Sequence, residues 1–348
     1  MNPTMIDLRS DTVTLPTDEM YGAMRVARLG DDNLRDDPTV GELEALAAET
    51  TGHEAALFCP TGTLANLLGT RMHTKPGDGV VMPHELNMYR YGVVAWNALQ
   101  PIFVDSEDGY PTSAELERRI AWGLAGDTPP TLLVIETTNN HAGGTVTTPE
   151  YLDAVREIAH HHHLAFFLDG ARIFNAAVAT GRPVREFARQ ADAMMFCLSK
   201  GLSAPAGSML CGTREFIERA TRMRFLMGGA MRQAGLLAAC GIYALTHLVE
   251  RLAEDHAHAR QLAAAAAHWP QVDVAQRRVD TNMVYLNVEK TGMTAAQFAE
   301  RLKARGVLVS AVDPMCVRLV THRGITAGDI DATIDAIGCI LILPQAPA

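Results

Sequence analysis

Residues 196–207 read FCLSKGLSAPAG. An apolar run enters a stretch of small residues, and one lysine, Lys200, stands at the junction. A lysine head group is strongly hydrated, and burying it unpaired is costly. The segment therefore either lets Lys200 reach a surface or holds it in a pocket for its chemistry. The residues before it, ADAMMFCLSK (191–200), predict a strand ending at the lysine, and LAFFLDGA (164–171) predicts a buried strand that turns at Asp169. Buried strands that each end in a charged group fit an α/β sheet, whose ligands bind beyond the carboxyl ends of its strands.

The flanking sequence supports that reading. GELEALAAETTG (41–52) has helical spacing and stops on glycine, and EAALFCPTGTLANLLGTRMH (54–73) runs from an apolar segment through a small-residue turn into a second helix. GVVMP (79–83), LQPIFVD (99–105) and TLLVIET (131–137) are strand-like, and YLDAVREIAHHHH (151–163) is an amphipathic helix. Strands alternating with helices predict an α/β layer with a mostly parallel sheet. After about residue 234 the texture changes: an alanine-rich helix over 234–267, a strand at 281–288, a helix at 294–306, a strand near 316–320 and a closing helix at 329–341. The expected organisation is an N-terminal arm (1–15), a large domain (16–240) and a smaller C-terminal α+β domain (241–348).

Of 348 residues, 48% are hydrophobic and 20% charged, which is ordinary for a globular protein. The formal net charge of −10 argues against nucleic acid or an anionic membrane as the main partner, while leaving room for a local basic pocket around a small anion. Cys59, Cys197, Cys211, Cys240, Cys316 and Cys339 include no CxxC pair, so they read as small buried thiols in a reducing cytoplasm. The N-terminus, MNPTMIDLRSDTV, lacks a signal-peptide pattern, and no apolar run approaches the ~20 residues of a membrane span. The expectation is a soluble cytoplasmic protein. The histidines at 160–163 lie side by side, so they cannot all face one ion; they read as a solvated helix end, and no metal is expected.

Four features carry chemistry. PTGT (60–63) opens a helix, where free backbone N–H groups and the helix dipole favour an anion, so Gly62 and Thr63 are candidate phosphate ligands; an ordinary cap by Thr61 or Thr63 is the alternative. FLDGAR (167–172) places Asp169 at a strand end, with Arg172 three residues on. LSKG (198–201) supplies Lys200, whose amine is suited to imine formation. MRQ (231–233) and VRLVTH (317–322) supply Arg232 and Arg318, each able to grip a carboxylate or phosphate through two N–H groups. A phosphate cradle, then a strand-end Asp, then a strand-end Lys describe a site for pyridoxal phosphate, with Lys200 carrying the cofactor covalently and Asp169 holding its pyridine nitrogen protonated.

At these residues the sequence resembles the low-specificity L-threonine aldolases, fold type I pyridoxal-phosphate enzymes of the β-eliminating lyase group. The likeness runs nearly end to end: LRSDTVTLPT (8–17), GDD (30–32) with DDPTV (36–40), EAALFCPTGTLAN (54–66), LDGARIFNAAVA (168–179), CLSKGLSAPAGS (197–208), MRQAG (231–235), RLAEDHAHAR (251–260), DTNM (280–283) and VRLVTH (317–322). The resemblance implies that Lys200 carries the cofactor and Asp169 contacts its ring nitrogen. Gly62 and Thr63 would hold the phosphate with Arg232, contributed by a neighbouring subunit, and Ser10, Arg172 and Arg318 would hold the substrate α-carboxylate. It implies retro-aldol cleavage of a β-hydroxy-α-amino acid to glycine and an aldehyde, by a homodimer or homotetramer with shared active sites.

The departures from the family pattern cluster on the substrate side. Where the family has a ring-stacking histidine in a segment like AHxxxxE, this chain has Asn87, with Gly92 in place of the glutamate and His84 offset by three positions. Where a motif like ENTHN supplies a histidine to the substrate hydroxyl, ETTNNHAGG (136–144) has Asn139, with His141 two residues on. The usual tyrosine of GDDxYGxDPT is Leu34, beside Arg35, a candidate partner for an anionic substrate tail. Asparagine is no general base near neutral pH, so Asn87 and Asn139 at the catalytic positions imply a rebuilt side-chain pocket and a substrate other than plain threonine. Two alternatives stay open: β-elimination, transaldol transfer or racemisation with the same cofactor, and a catalytically silent scaffold.

Overall fold

The computed structural model describes residues 5–276 and 278–342. In chain order its strands are β1 (Ile6–Asp7), β2 (Ala55–Cys59), β3 (Gly79–Pro83), β4 (Gln100–Val104), β5 (Pro130–Glu136), β6 (Ala165–Asp169), β7 (Ala193–Cys197) and β8 (Ser208–Gly212). They continue with β9 (Asp273–Val274), β10 (Met283–Asn287), β11 (Val307–Leu308), β12 (Ser310–Ala311) and β13 (Cys316–Val320). Contacts divide the chain into two compact units, one of residues Leu15–Glu250 and one that joins the N-terminal segment up to Thr14 with the chain from Arg251 onward.

The first unit is built on a seven-stranded sheet in the order β2-β8-β7-β6-β5-β3-β4. The pairs from β7 through β4 are parallel, and β8 runs antiparallel to both β2 and β7. Strand residues are buried on both faces, as the continuous apolar runs require of a parallel sheet. On one face Leu57, Val80, Leu132, Phe167, Met195 and Leu210 form a core with the helices Gly62–His73 and Arg214–Leu226. The first of these helices approaches the sheet closely because it carries glycine where they meet: a Cβ on Gly69 would stand 2.3 Å from the Phe167 ring. That closeness brings the start of the helix to the carboxyl ends of the central strands.

The outer edge of β2 has no strand partner, and buried side chains cover it instead. The Phe58 N–H donates to Glu44 Oε1 (3.0 Å), and the Phe58 carbonyl accepts from the guanidinium of Arg224. Arg224 is 1% exposed and pairs with the equally buried Asp32 at 2.9 Å. Arg35 is bidentate on Glu44, with its Nη1 and Nη2 at 3.0 and 2.6 Å from the two carboxylate oxygens. Arg35, read as a partner for an anionic substrate tail or as a solvated cation, is 43% exposed and pairs with the buried Glu44 at the sheet edge.

In the second unit an antiparallel sheet in the order β12-β13-β10-β9 packs with three helices, Leu252–Ala266, Ala295–Lys303 and Ala327–Ile342. Its core includes Leu8, Leu262, Val284, Phe298, Leu319 and Ile337. The N-terminal segment is part of this unit rather than a separate arm: β1 pairs with β11, and the Val320 N–H donates to the Leu8 carbonyl at 2.8 Å. The expected boundary at 240 falls inside the helix Gly235–His247, which packs on the helices Asp18–Val26 and Pro38–Thr51 of the first unit. The single helix expected over 234–267 is two, Gly235–His247 and Leu252–Ala266. Each serves the core of its own unit, and no glycine or proline marks the change.

Other expectations fare unevenly. The helix read at 41–52 spans Pro38–Thr51 with Asp37 as its N-cap and ends at Gly52. β8 was not legible, because SMLCG has no β-branched residue. Strand β7 ends at Cys197, so Lys200 lies beyond it, in the loop to β8. Five of the six cysteines are buried, but Cys339 is exposed. His160 and His162 face different carboxylates, Asp192 and Glu117. Among the described residues no single helix is long and apolar enough to cross a membrane. Removing one partner of a buried ion pair strands the other charge, so Arg224→Ala is expected to destabilise the chain by about 3–5 kcal/mol in chemical unfolding. A loss below about 1 kcal/mol would show that water reaches Asp32.

Candidate active site

Strands β5 and β6 run parallel in register, with Glu136 beside Asp169 at their carboxyl ends. Both side chains are 1% exposed. Asp169 is held by two donors: Asn66 Nδ2 to Oδ2 at 2.8 Å, and the Ala171 N–H to Oδ1 at 3.1 Å. Asn66 stands one turn into the helix Gly62–His73, so the helix that opens with PTGT also aims a side chain at the strand-end acid.

Thr61 is the N-cap of that helix, and its hydroxyl accepts from the Leu64 N–H at 3.1 Å. The ordinary capping role thus falls to Thr61. The backbone N–H groups of Gly62 and Thr63 take no acceptor among the described residues. Gly62 itself is wedged against the sheet: a Cβ there would sit 2.8 Å from Cys197 Sγ and 3.4 Å from Ser208 Oγ. Ser208 is fully buried and its hydroxyl has no hydrogen-bond partner. The unclaimed N–H groups at this helix start are donors suited to an anion.

Lys200 lies half-buried in the loop between β7 and β8. The loop is closed by the Leu198 N–H to the Gly207 carbonyl (3.0 Å), and inside it the Ser203 N–H donates to the Lys200 carbonyl (2.8 Å). Its cationic head is near enough to Glu136 to oppose the rise in that carboxyl's pKa. Arg172 is buried at the start of the helix Ile173–Thr180, directly after the Asp169 turn.

Glu136 draws the substrate-side loops inward. It accepts from the Asn87 N–H (2.9 Å) through Oε2 and from the Asn140 N–H (3.1 Å) through Oε1. Asn87 Oδ1 in turn meets His141 Nε2 at 3.2 Å. Asn139 behaves differently from its expected place in the site. It is fully buried, its Nδ2 donates to the Gly109 carbonyl at 3.4 Å, and its Oδ1 accepts from the Ala142 N–H at 3.0 Å. Its amide is used up in shaping the loop. His84 turns outward and stacks on Phe103, ring centroids 4.1 Å apart.

The structure thus gathers Gly62, Thr63, Asp169, Arg172, Lys200 and Asn87 around the strand ends of one unit. Arg232 is exposed and pairs with Asp31 at 3.2 Å. Ser10 and Arg318 belong to the other unit and are neighbours there: Arg318 Nη2 donates to the Arg9 carbonyl at 3.0 Å. Asn66, Ser208 and Glu136 carried no role in the sequence reading. Glu136 had a visible signal, because it ends the apolar run TLLVIE as Asp169 ends LAFFLD. A groove of about 990 Å³ lined by Leu46, Phe174, Arg182 and His247 among others contains none of these groups.

The sequence matches the beta-eliminating lyase family over residues 7–290. The chain belongs to that family. It is 42% identical to the low specificity L-threonine aldolase of Escherichia coli K12, over 92% of its own length and 95% of the relative's. It is 36% identical to low-specificity L-threonine aldolase 1 of Arabidopsis thaliana, over 99% and 98% of the two chains. An aldolase of Penicillium aethiopicum is 36% identical over 92% of this chain and 82% of its own. In fold it is similar to the threonine aldolase of Leishmania major, with a TM-score of 0.83 and 17% identity, covering 97% of this chain and 99% of that one. The likeness bears out the α/β, fold type I architecture expected from the sequence.

Burial and the neighbouring Asp169 carboxylate push the Glu136 pKa up from 4.5 to about 8. The folded chain therefore keeps a proton there that the unfolded chain has released. This contribution to stability is complete below pH 4.5 and is lost as pH rises through about 8. The melting temperature of the cofactor-free β-eliminating lyase should accordingly fall more over that interval than that of its Glu136→Gln variant. Parallel curves would mean that Glu136 is already ionised in the folded chain.

Proposed function

We propose that this protein is a pyridoxal-phosphate-dependent aldolase that cleaves a β-hydroxy-α-amino acid to glycine and an aldehyde. One observation carries the reading: Asp169, buried and braced by Asn66, shares the strand ends with Lys200 and with a helix start whose Gly62 and Thr63 N–H groups take no acceptor among the described residues. These residues fit pyridoxal phosphate. Lys200 Nζ would bind its aldehyde carbon, the Asp169 carboxylate would accept from its pyridinium N–H, and the N–H groups of Gly62 and Thr63 would hold its phosphate. When bound, the cofactor supplies an electron sink for the pair released as the Cα–Cβ bond breaks.

Arg172, buried next to the Asp169 turn, is suited to orient the substrate α-carboxylate; by resemblance Ser10 and Arg318 share that task. The relatives' names support the reaction type. The replacements at positions 87 and 139 support a side chain other than that of threonine, because neither asparagine offers a base to the β-hydroxyl. Assembly as a dimer or tetramer, with Arg232 reaching a neighbouring subunit's phosphate, accords with its exposed position.

The decisive measurement is the visible spectrum of the purified protein with pyridoxal phosphate, before and after glycine, with product analysis on a panel of β-hydroxy-α-amino acids. The expected result is a lysine-linked cofactor band that glycine shifts, its loss in Lys200→Ala, and glycine as product. At least one bulkier or more polar substrate should be cleaved with a higher kcat/KM than L-threonine. Pyruvate or ammonia in place of glycine would turn the reading to β-elimination, and no band at all would leave a scaffold.

A further inference from the structure

Two asparagines stand where the sequence reading looked for histidines, yet a histidine has come back by another route. His141 belongs to the loop after β5, and Asn87 to the segment after β3. Glu136 binds both segments through the N–H groups of Asn87 and Asn140, so the residue after Asn140 is carried to Asn87. The contact formed, His141 Nε2 to Asn87 Oδ1 at 3.2 Å, lies over strand ends that hold Glu136 and Asp169 and face Lys200. Asn139 is locked into its loop and His84 is stacked on Phe103 outside it, so neither offers an imidazole here.

We propose that His141, oriented by Asn87, is the acid–base group for the substrate β-hydroxyl. The proposal rests on the aldolase reading above and adds a catalytic residue to it. The β-hydroxyl proton passes to the imidazole as the Cα–Cβ bond breaks, and the oxygen becomes the aldehyde carbonyl. The electron pair of that bond goes to Cα, which is then protonated and leaves as glycine. Asn87 is suited to hold the ring through this exchange: Nε2–H donates to its Oδ1 in the neutral and the protonated ring alike, and Nδ1 is the nitrogen that takes the proton. Glu136 is a positioning residue: through the N–H groups of Asn87 and Asn140 it sets where the two loops meet.

The test separates bond cleavage from chemistry that needs no β-hydroxyl. In the cofactor-loaded enzyme, His141→Asn should lower kcat for the best β-hydroxy-α-amino acid about 100-fold, the lower range of a lost general base, and remove the acidic limb of the pH profile. The glycine-induced spectral shift and the exchange of the glycine α-proton with solvent should persist. Asn87→Ala should lower kcat less and keep the limb. In the cofactor-free chain it should also lower the midpoint of the His141 ring's NMR titration, since an acceptor on the ring favours its protonated form. Undiminished cleavage in His141→Asn, or equal losses of cleavage and glycine exchange, would overturn the proposal while leaving the aldolase reading intact. A wild-type chain that takes up no pyridoxal phosphate would overturn both.

Discussion

Two carboxyl groups buried side by side, Glu136 and Asp169, are the constraint around which the rest of the strand-end region is arranged. A buried carboxylate is tolerated only with donors on its oxygens, and two adjacent ones repel. Each acid therefore draws in its own set of donors. Asp169 takes the Asn66 amide and the backbone of its own turn, which brings in the helix Gly62–His73. Glu136 takes the N–H groups of Asn87 and Asn140, which brings in two loops distant from each other in sequence. The difference in partners separates their chemistry. One acid is braced on a helix and faces a ring nitrogen in the proposed site; the other, pushed toward its neutral form, organises the loops that meet the substrate.

Close packing lets these polar groups converge. The helix Gly62–His73 lies directly on Phe167 because Gly69 has no side chain, and its first residue reaches Cys197 and Ser208 for the same reason. The short residues around Lys200 serve a related end: they close a compact loop on its own backbone, leaving the lysine head as its long polar group. At the opposite end of the sheet order, buried charge does structural work. Arg224, Asp32, Glu44 and Arg35 gather at the edge of β2, so Asp32 of the GDD segment read in the sequence helps hold the sheet's margin.

Much of this was legible in the chain. The alternation of apolar strands with helices, the acid ending LAFFLD and the lysine after AMMFC all depend on local patterns, and local patterns survive folding when both faces of a sheet are buried. What was not legible depended on partners far along the sequence. Arg35 looked available for an anion until Glu44 was placed beside it. Asn139 looked catalytic by its position, but its amide is spent on Gly109 and Ala142. β8 escaped notice because its residues are small and its strand identity comes from the neighbours on each side.

The sequence by itself determined the class of fold, the acid and lysine at the strand ends and the family, because these rest on residue types at short, ordered spacings. Only the tertiary structure decided which imidazole stands at the strand ends. His141 and Asn87 are 54 residues apart, and nothing local to either specifies the other. They meet because one buried carboxyl, at the end of a third segment, accepts a backbone N–H from each of their two segments.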